Sequence, residues 1–214
     1  MKRVLGLAVA AFISVAISGS AFAQDQIINV GNLITDAASG PSGPATIIVR
    51  DGKIAEISRG ATSASADAQV IDLSSKTVMA GLIDLHVHLT GDPGGDFWRE
   101  TTEPAEWGVV VGAKNALVTA KAGFTTVREA GSSQYSAFSL RRGTADGVIP
   151  GPRIIAAGPA LAIVGGHGDV SGFTEDVNAL LTSGYACTGA VQCAEKVRKA
   201  SRAGADIIKI TATG

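Results

Sequence analysis

From Gln26 to Ala80 the apolar positions fall in short β-branched runs separated by turn signals. Ile27-Ile28-Asn29-Val30 opens the series, and the Gly40-Pro41-Ser42-Gly43-Pro44 cluster breaks it. Thr46-Ile47-Ile48-Val49 and Lys53-Ile54-Ala55-Glu56-Ile57 flank Asp51-Gly52, a dipeptide suited to a tight hairpin turn. Val70-Ile71-Asp72-Leu73 and Thr77-Val78-Met79 complete a small β module over residues 24–80. Roughly 55 residues of short strands can form part of a composite sandwich but hardly bury a full core alone.

After Ala80 the pattern changes period. Leu82 to Leu89 is an apolar strand, and Glu103 to Ala122 has helical spacing, with Thr101 or Thr102 as N-cap, Pro104 in the first turn and Gly123 as the stop. Thr125-Thr126-Val127 predicts a second strand, Tyr135 to Ala145 a second helix, and Arg153 to Ala157 a third strand. A long Gly-rich loop runs from Gly158 to about Thr188. Ala190 to Ala203 predicts a helix ending at Gly204, and Asp206 to Ile210 a fourth strand. Apolar strands alternating with helices are the mark of an α/β protein with a parallel sheet. Four right-handed βα units make either half of an eight-stranded barrel or a small open sheet with two exposed edges. No polar tail or closing helix follows the fourth strand, so residues 81–214 are expected to be the first portion of a larger domain.

The extreme N-terminus is of another kind. Lys2 and Arg3 precede an apolar run from Val4 to Ile17, and Ala21-Phe22-Ala23 supplies a small-x-small cleavage pattern. At 14 residues the run is short of the ~20 that span a bilayer. Residues 1–23 are therefore expected to be a signal peptide cleaved after Ala23, giving an exported protein, periplasmic or secreted, with no stable membrane anchor. Removal leaves 16 basic and 19 acidic residues, a balance that argues against a nucleic-acid partner. Export also bears on Cys187 and Cys193, which either form a short local disulfide or remain inert thiols.

Candidate chemistry starts from scarcity, because the chain has only three histidines: His86, His88 and His167. On a strand, residues i and i+2 point to one face, so His86 and His88 project together, with Asp84 in the same parity. Two such imidazoles can hold a divalent ion, with Zn²⁺ the common choice. His167 lies in the Gly-rich loop, where it could orient a substrate carbonyl or simply stand in solvent. Lys209 lies in the apolar fourth strand, either snorkelling to water or buried with a depressed pKa and a nucleophilic amine. Arg128-Glu129 closes the second strand as a candidate ion pair.

Ala80-Gly81-Leu82-Ile83-Asp84-Leu85-His86-Val87-His88-Leu89 resembles the GliDxHxH motif of the amidohydrolase superfamily, with Ala80 where Pro is usual. Thr125-Thr126-Val127-Arg128-Glu129 is similar to that superfamily's second-strand segment. Gly151-Pro152-Arg153, Gly165-Gly166-His167-Gly168 and Ala203 to Ile210 resemble its imidazolonepropionase-like and Xaa-Pro dipeptidase-like branch. The resemblance implies the first half of a (β/α)8 TIM-type barrel behind an N-terminal β module. It implies two Zn²⁺ ions, with His86 and His88 on one and carboxylated Lys209 bridging both, and His167 toward substrate. The implied reaction is hydrolysis of an amide-type C–N bond in a small-molecule, dipeptide-like or cyclic substrate by a metal-activated hydroxide. The acid/base group belongs to later strands of that family, so none is assigned here. The alternative is a non-catalytic half-barrel that binds metal or a partner without turnover.

Overall fold

A computed structural model describes residues 25–60, 68–94, 102–133, 135–182 and 184–212. The expected signal peptide, and Thr101 as a helix cap, lie outside these residues. Two compact units divide between Ala80 and Gly81.

The first unit is a four-stranded sheet of β1 (Gln26–Ile34), β2 (Ala45–Arg50), β3 (Lys53–Arg59) and β4 (Gln69–Met79), ordered β3-β2-β1-β4. β1–β2 and β2–β3 are antiparallel pairs, while β1 runs parallel to β4. Val30, Leu33, Ala45 and Ile47 form its buried cluster. The two runs expected at 70–73 and 77–79 are one strand. A register shift falls between Val30 and Asn32, and it is Gly31 that permits it. A Cβ on Gly31 would stand 2.1 Å from the Ser74 carbonyl oxygen.

The second unit has the expected α/β alternation. β5 (Leu82–Val87), β6 (Phe124–Glu129) and β7 (Arg153–Ala156) form a parallel sheet in chain order. Helices α1 (Trp107–Lys121) and α2 (Ser136–Ala145) follow the first two strands. Leu89, Ala116, Val127, Ala137, Phe138, Leu140, Ile154 and Ala156 make the common core. α1 starts later than its apolar spacing predicts. Trp107, Gly108 and Val109 each donate to a carbonyl three residues back, so Pro104 to Glu106 form tight turns rather than α-helix.

The Gly-rich segment is not a plain loop. It contains β8 (Leu161–Ile163), α3 (Glu175–Leu181) and β9 (Ala186–Cys187). The disulfide Cys187–Cys193 ties β9 to the first turns of α4 (Gly189–Ala203). Gly204 ends α4 with φ +106, a left-handed cap that favours Gly. The expected fourth strand is regular only as β10 (Ile210–Thr211), parallel to β8. The reason is its neighbour: β7 stops at Ala156 and β8 begins at Leu161, so no continuous ladder is offered between them. Two bonds bridge the gap, Asp206 N–H to the Ala156 carbonyl at 2.9 Å and Leu161 N–H to the Lys209 carbonyl at 2.8 Å. The Asp206 carboxylate takes the Ala156 N–H in return and pairs with Arg141.

Candidate metal centre

The site lies at the C-terminal end of β5. Val87 and Leu89 pack into the core between sheet and helices, which turns His86 and His88 to the other face. Their Nε2 atoms stand 3.3 Å apart. His88 Nδ1 is 2.8 Å from the Gly131 carbonyl oxygen. A carbonyl only accepts, so Nδ1 carries the proton and Nε2 keeps its lone pair. Lys209 lowers the pKa of His86 most strongly, followed by partial desolvation and the charges of His88 and Arg128. In the metal-free chain a neutral His86 can donate its Nε2–H to the His88 Nε2 lone pair, a proton it would shift to Nδ1 on ligating through Nε2.

That geometry suits one divalent ion. Two nitrogens about 2.0–2.1 Å from a tetrahedral ion lie about 3.3 Å from each other. Among the described residues, no cluster of three or more His, Cys, Asp or Glu side chains forms a metal site. The pair therefore supplies two donors, and Lys209 is the group whose charge acts most strongly on His86.

What fixes His88 is less visible in the sequence. β5 ends at Val87 and the ladder with β6 closes on the Val87–Glu129 pair, so His88 already stands beyond the strand. Glu129 takes over from the ladder: its Oε2 accepts the Leu89 N–H at 2.5 Å. The carboxyl is wholly buried, and its Oε1 has no hydrogen-bond partner. Oε1 lies 3.7 Å from His88 Nδ1. Burial pushes Glu129 up to about 7, against the pull of the Leu89 and Gly131 N–H groups. From α1, Asn115 donates to the carbonyls of Leu89 and Gly91, and Lys114 pairs with Asp92 at 2.7 Å.

The Arg128-Glu129 ion pair does not form. Neighbours on a strand face opposite ways, so Glu129 is buried while Arg128 is exposed and donates to the Leu85 carbonyl. Asp84 accepts the His86 N–H at 2.9 Å, capping a backbone group beside the pair. His167 is exposed on the turn after β8, and no hydrogen bond joins it to His86 or His88 among the described residues. That turn packs on β10: a Cβ on Gly168 would stand 2.3 Å from Thr211 Oγ1.

The model of the amidohydrolase family matches residues 77–214. The chain belongs to that family. It is similar to a solved Xaa-Pro dipeptidase with bound methionine, at TM-score 0.75 and 31% identity over 87% of this chain and 47% of that one. A prolidase complexed with N-methylphosphonate-L-proline gives TM-score 0.74 and 27% identity, over 87% of this chain and 46% of that one. A dihydroorotase of Anaeromyxobacter sp. (strain K) is 36% identical over 104 residues, covering 49% of this chain and 21% of that protein. This amidohydrolase chain thus spans less than half of the solved relatives. Its α/β fold is that of part of the amidohydrolase barrel, and the His86–His88 pair lies within the residues that the family model matches.

Proposed function

We propose that this chain carries the first metal-binding portion of an exported, metal-dependent hydrolase of amide-type C–N bonds. The observation that carries the reading is the 3.3 Å approach of two imidazole nitrogens at the end of β5, in a chain of the amidohydrolase family. His86 and His88 would hold the more buried of two Zn²⁺ ions. A divalent ion supplies Lewis acidity there, lowering the pKa of a water and polarising a scissile carbonyl.

Lys209 is read as the bridging ligand. As an ammonium it lowers His86 and would repel a cation. Carboxylation of its amine replaces that positive charge with an anion bearing two donor oxygens, which suits a bridge. His167 is assigned to substrate, because its exposed ring on the 163–169 turn is free of the metal pair. Kinship over 87% of the chain with a Xaa-Pro dipeptidase and a prolidase makes a dipeptide-like amide the first substrate class to test. The dihydroorotase match makes a cyclic amide the second.

The test is metal content by mass spectrometry on the chain beginning at Gln24, refolded with Zn²⁺ and bicarbonate. Intact mass is read on the same sample for a gain of one CO₂ at Lys209. Near-stoichiometric zinc that is lost in His86→Ala/His88→Ala supports the assignment; zinc retained by the double variant overturns it. Cleavage is not expected of these residues alone, because the acid/base group of the family belongs to later strands, so metal content rather than turnover is the readout.

A further inference from the structure

We propose that Glu129 is a positioning residue for His88, acting through the ring nitrogen that faces away from the metal. The inference rests on the reading of His86 and His88 as a metal pair. It starts from an anomaly of burial. A carboxyl with no exposed surface is rare unless all its oxygens are occupied, yet with the Leu89 N–H on Oε2 and the Gly131 N–H nearby, Glu129 Oε1 is still left without a well-formed hydrogen bond. A residue needed only to hold the Leu89 N–H would need only one acceptor, and Oε2 already serves.

The second oxygen is explained by what it faces. Oε1 lies 3.7 Å from His88 Nδ1, whose proton is directed to the Gly131 carbonyl at 2.8 Å. Two acceptors thus flank one N–H. They disfavour the tautomer with a bare Nδ1 lone pair, which both oxygens would repel, and so leave Nε2 as the donor atom. Gly131 belongs to the same device. A Cβ there would stand 3.2 Å from His88 Cε1, so only a residue without a side chain brings its carbonyl this close at no cost. Glu129 and Gly131 both follow from β6, and the Ala130 N–H between them is bonded to the Val87 carbonyl at 2.9 Å. The end of the second strand therefore sets the ring of the first. Acceptors on the outer nitrogen of a ligating imidazole fix its tautomer and raise its basicity, and losing one weakens metal affinity about 10–100-fold.

The experiment uses the full chain with Glu129→Gln. The Gln side-chain oxygen can still accept the Leu89 N–H, but its NH₂ group would face the Nδ1 proton, donor against donor. Affinity is measured with Co²⁺ in competition with a chromophoric chelator, and ring tautomers by ¹⁵N-histidine NMR of the metal-free chain. The expected result is a 10–100-fold weaker Co²⁺ affinity and loss of the pure Nδ1–H signature of His88, with the Leu89 amide still protected from hydrogen exchange. Wild-type affinity and an unchanged tautomer in E129Q would overturn the proposal and leave Glu129 as a peg for Leu89. An Nε2–H His88 in the metal-free wild type would overturn it as well, whether or not the variant folds. Failure of the metal reading looks different: wild type itself would then not take up Co²⁺.

Discussion

Two segments of the barrel unit each carry a histidine just past a strand, and they are held in opposite ways. Residues 88–94 follow β5 and are bonded to two other elements, through Glu129 and Gly131 at the end of β6 and through Lys114 and Asn115 of α1. Residues 164–170 follow β8 and are bonded mainly to themselves. Gly166 N–H meets the Ile163 carbonyl, Asp169 N–H meets the Gly166 carbonyl, and the Asp169 carboxylate takes the Gly165 N–H at 2.9 Å. Among the described residues their outward side-chain bond, from the Thr182 hydroxyl to Asp169, reaches the end of α3, a helix with no buried residue. The ring proposed to meet a metal is fastened from several sides. The ring proposed to face substrate stands on a segment that can yield, as local opening is cheapest where buried contacts are few.

The largest expected effect separates the two histidines by what each removes. His86→Ala/His88→Ala abolishes bound zinc, whereas His167→Ala leaves zinc stoichiometry unchanged and raises KM in any preparation that turns over. Zinc lost from the His167 variant would erase the distinction between the segments.

Next in size is the fastening itself. Asn115→Ala strips one side-chain donor from the carbonyls of Leu89 and Gly91. With Leu89 in the core, the cost is expected at about 1–3 kcal/mol, read by denaturant melts. Asp169→Ala removes acceptors from Gly165 and Thr182 on a partly exposed turn, so its cost should stay below about 1 kcal/mol. It should show as faster hydrogen exchange at the Gly165 amide, with the Leu89 amide unaffected. Equal costs for the two variants would mean that residues 164–170 are as firmly built in as residues 88–94.

Much of this was legible in the residues. The β module, the βα alternation and the convergence of His86 with His88 follow from period and parity. What failed did so for physical reasons. The partner of Glu129 is Leu89, 40 residues earlier, and no local pattern names such a pair. Adjacent opposite charges suggested an Arg128–Glu129 bond, although strand parity forbids it. The same parity offered the usable signal: Glu129 shares a face with Val127, which is fully buried. The three short elements between Gly158 and Thr188 were hidden by their brevity and by the glycines around them. The fourth strand was overestimated because its own apolar run said nothing of the break at Ala157–Ala160 in its neighbour.

The smallest effect tests the chemistry of the two tethers, each of which depends on a carboxylate. Asp92 is held below the ordinary range by the hydrogen bond from Lys114 and then by Asn115. For Asp169, burial pushes upward, but the N–H groups of Gly165 and Val170 and the Thr182 hydroxyl outweigh it. A depressed folded-state pKa means that the unfolded chain binds the proton more readily. Each tether's contribution is therefore present above the unfolded value near 3.8 and is lost as pH falls through the lower folded value. Acid alone should loosen both segments in the same pH window. Salt should separate them, because an exposed Lys–Asp pair is screened while bonds from neutral donors are not. At neutral pH, raising NaCl to about 1 M, where screening acts within ~3 Å, should quicken exchange in residues 91–94 and leave Gly165 unchanged. A salt response at Gly165 equal to that near Asp92 would show that Asp169 holds its turn by long-range charge rather than by the donors that surround it.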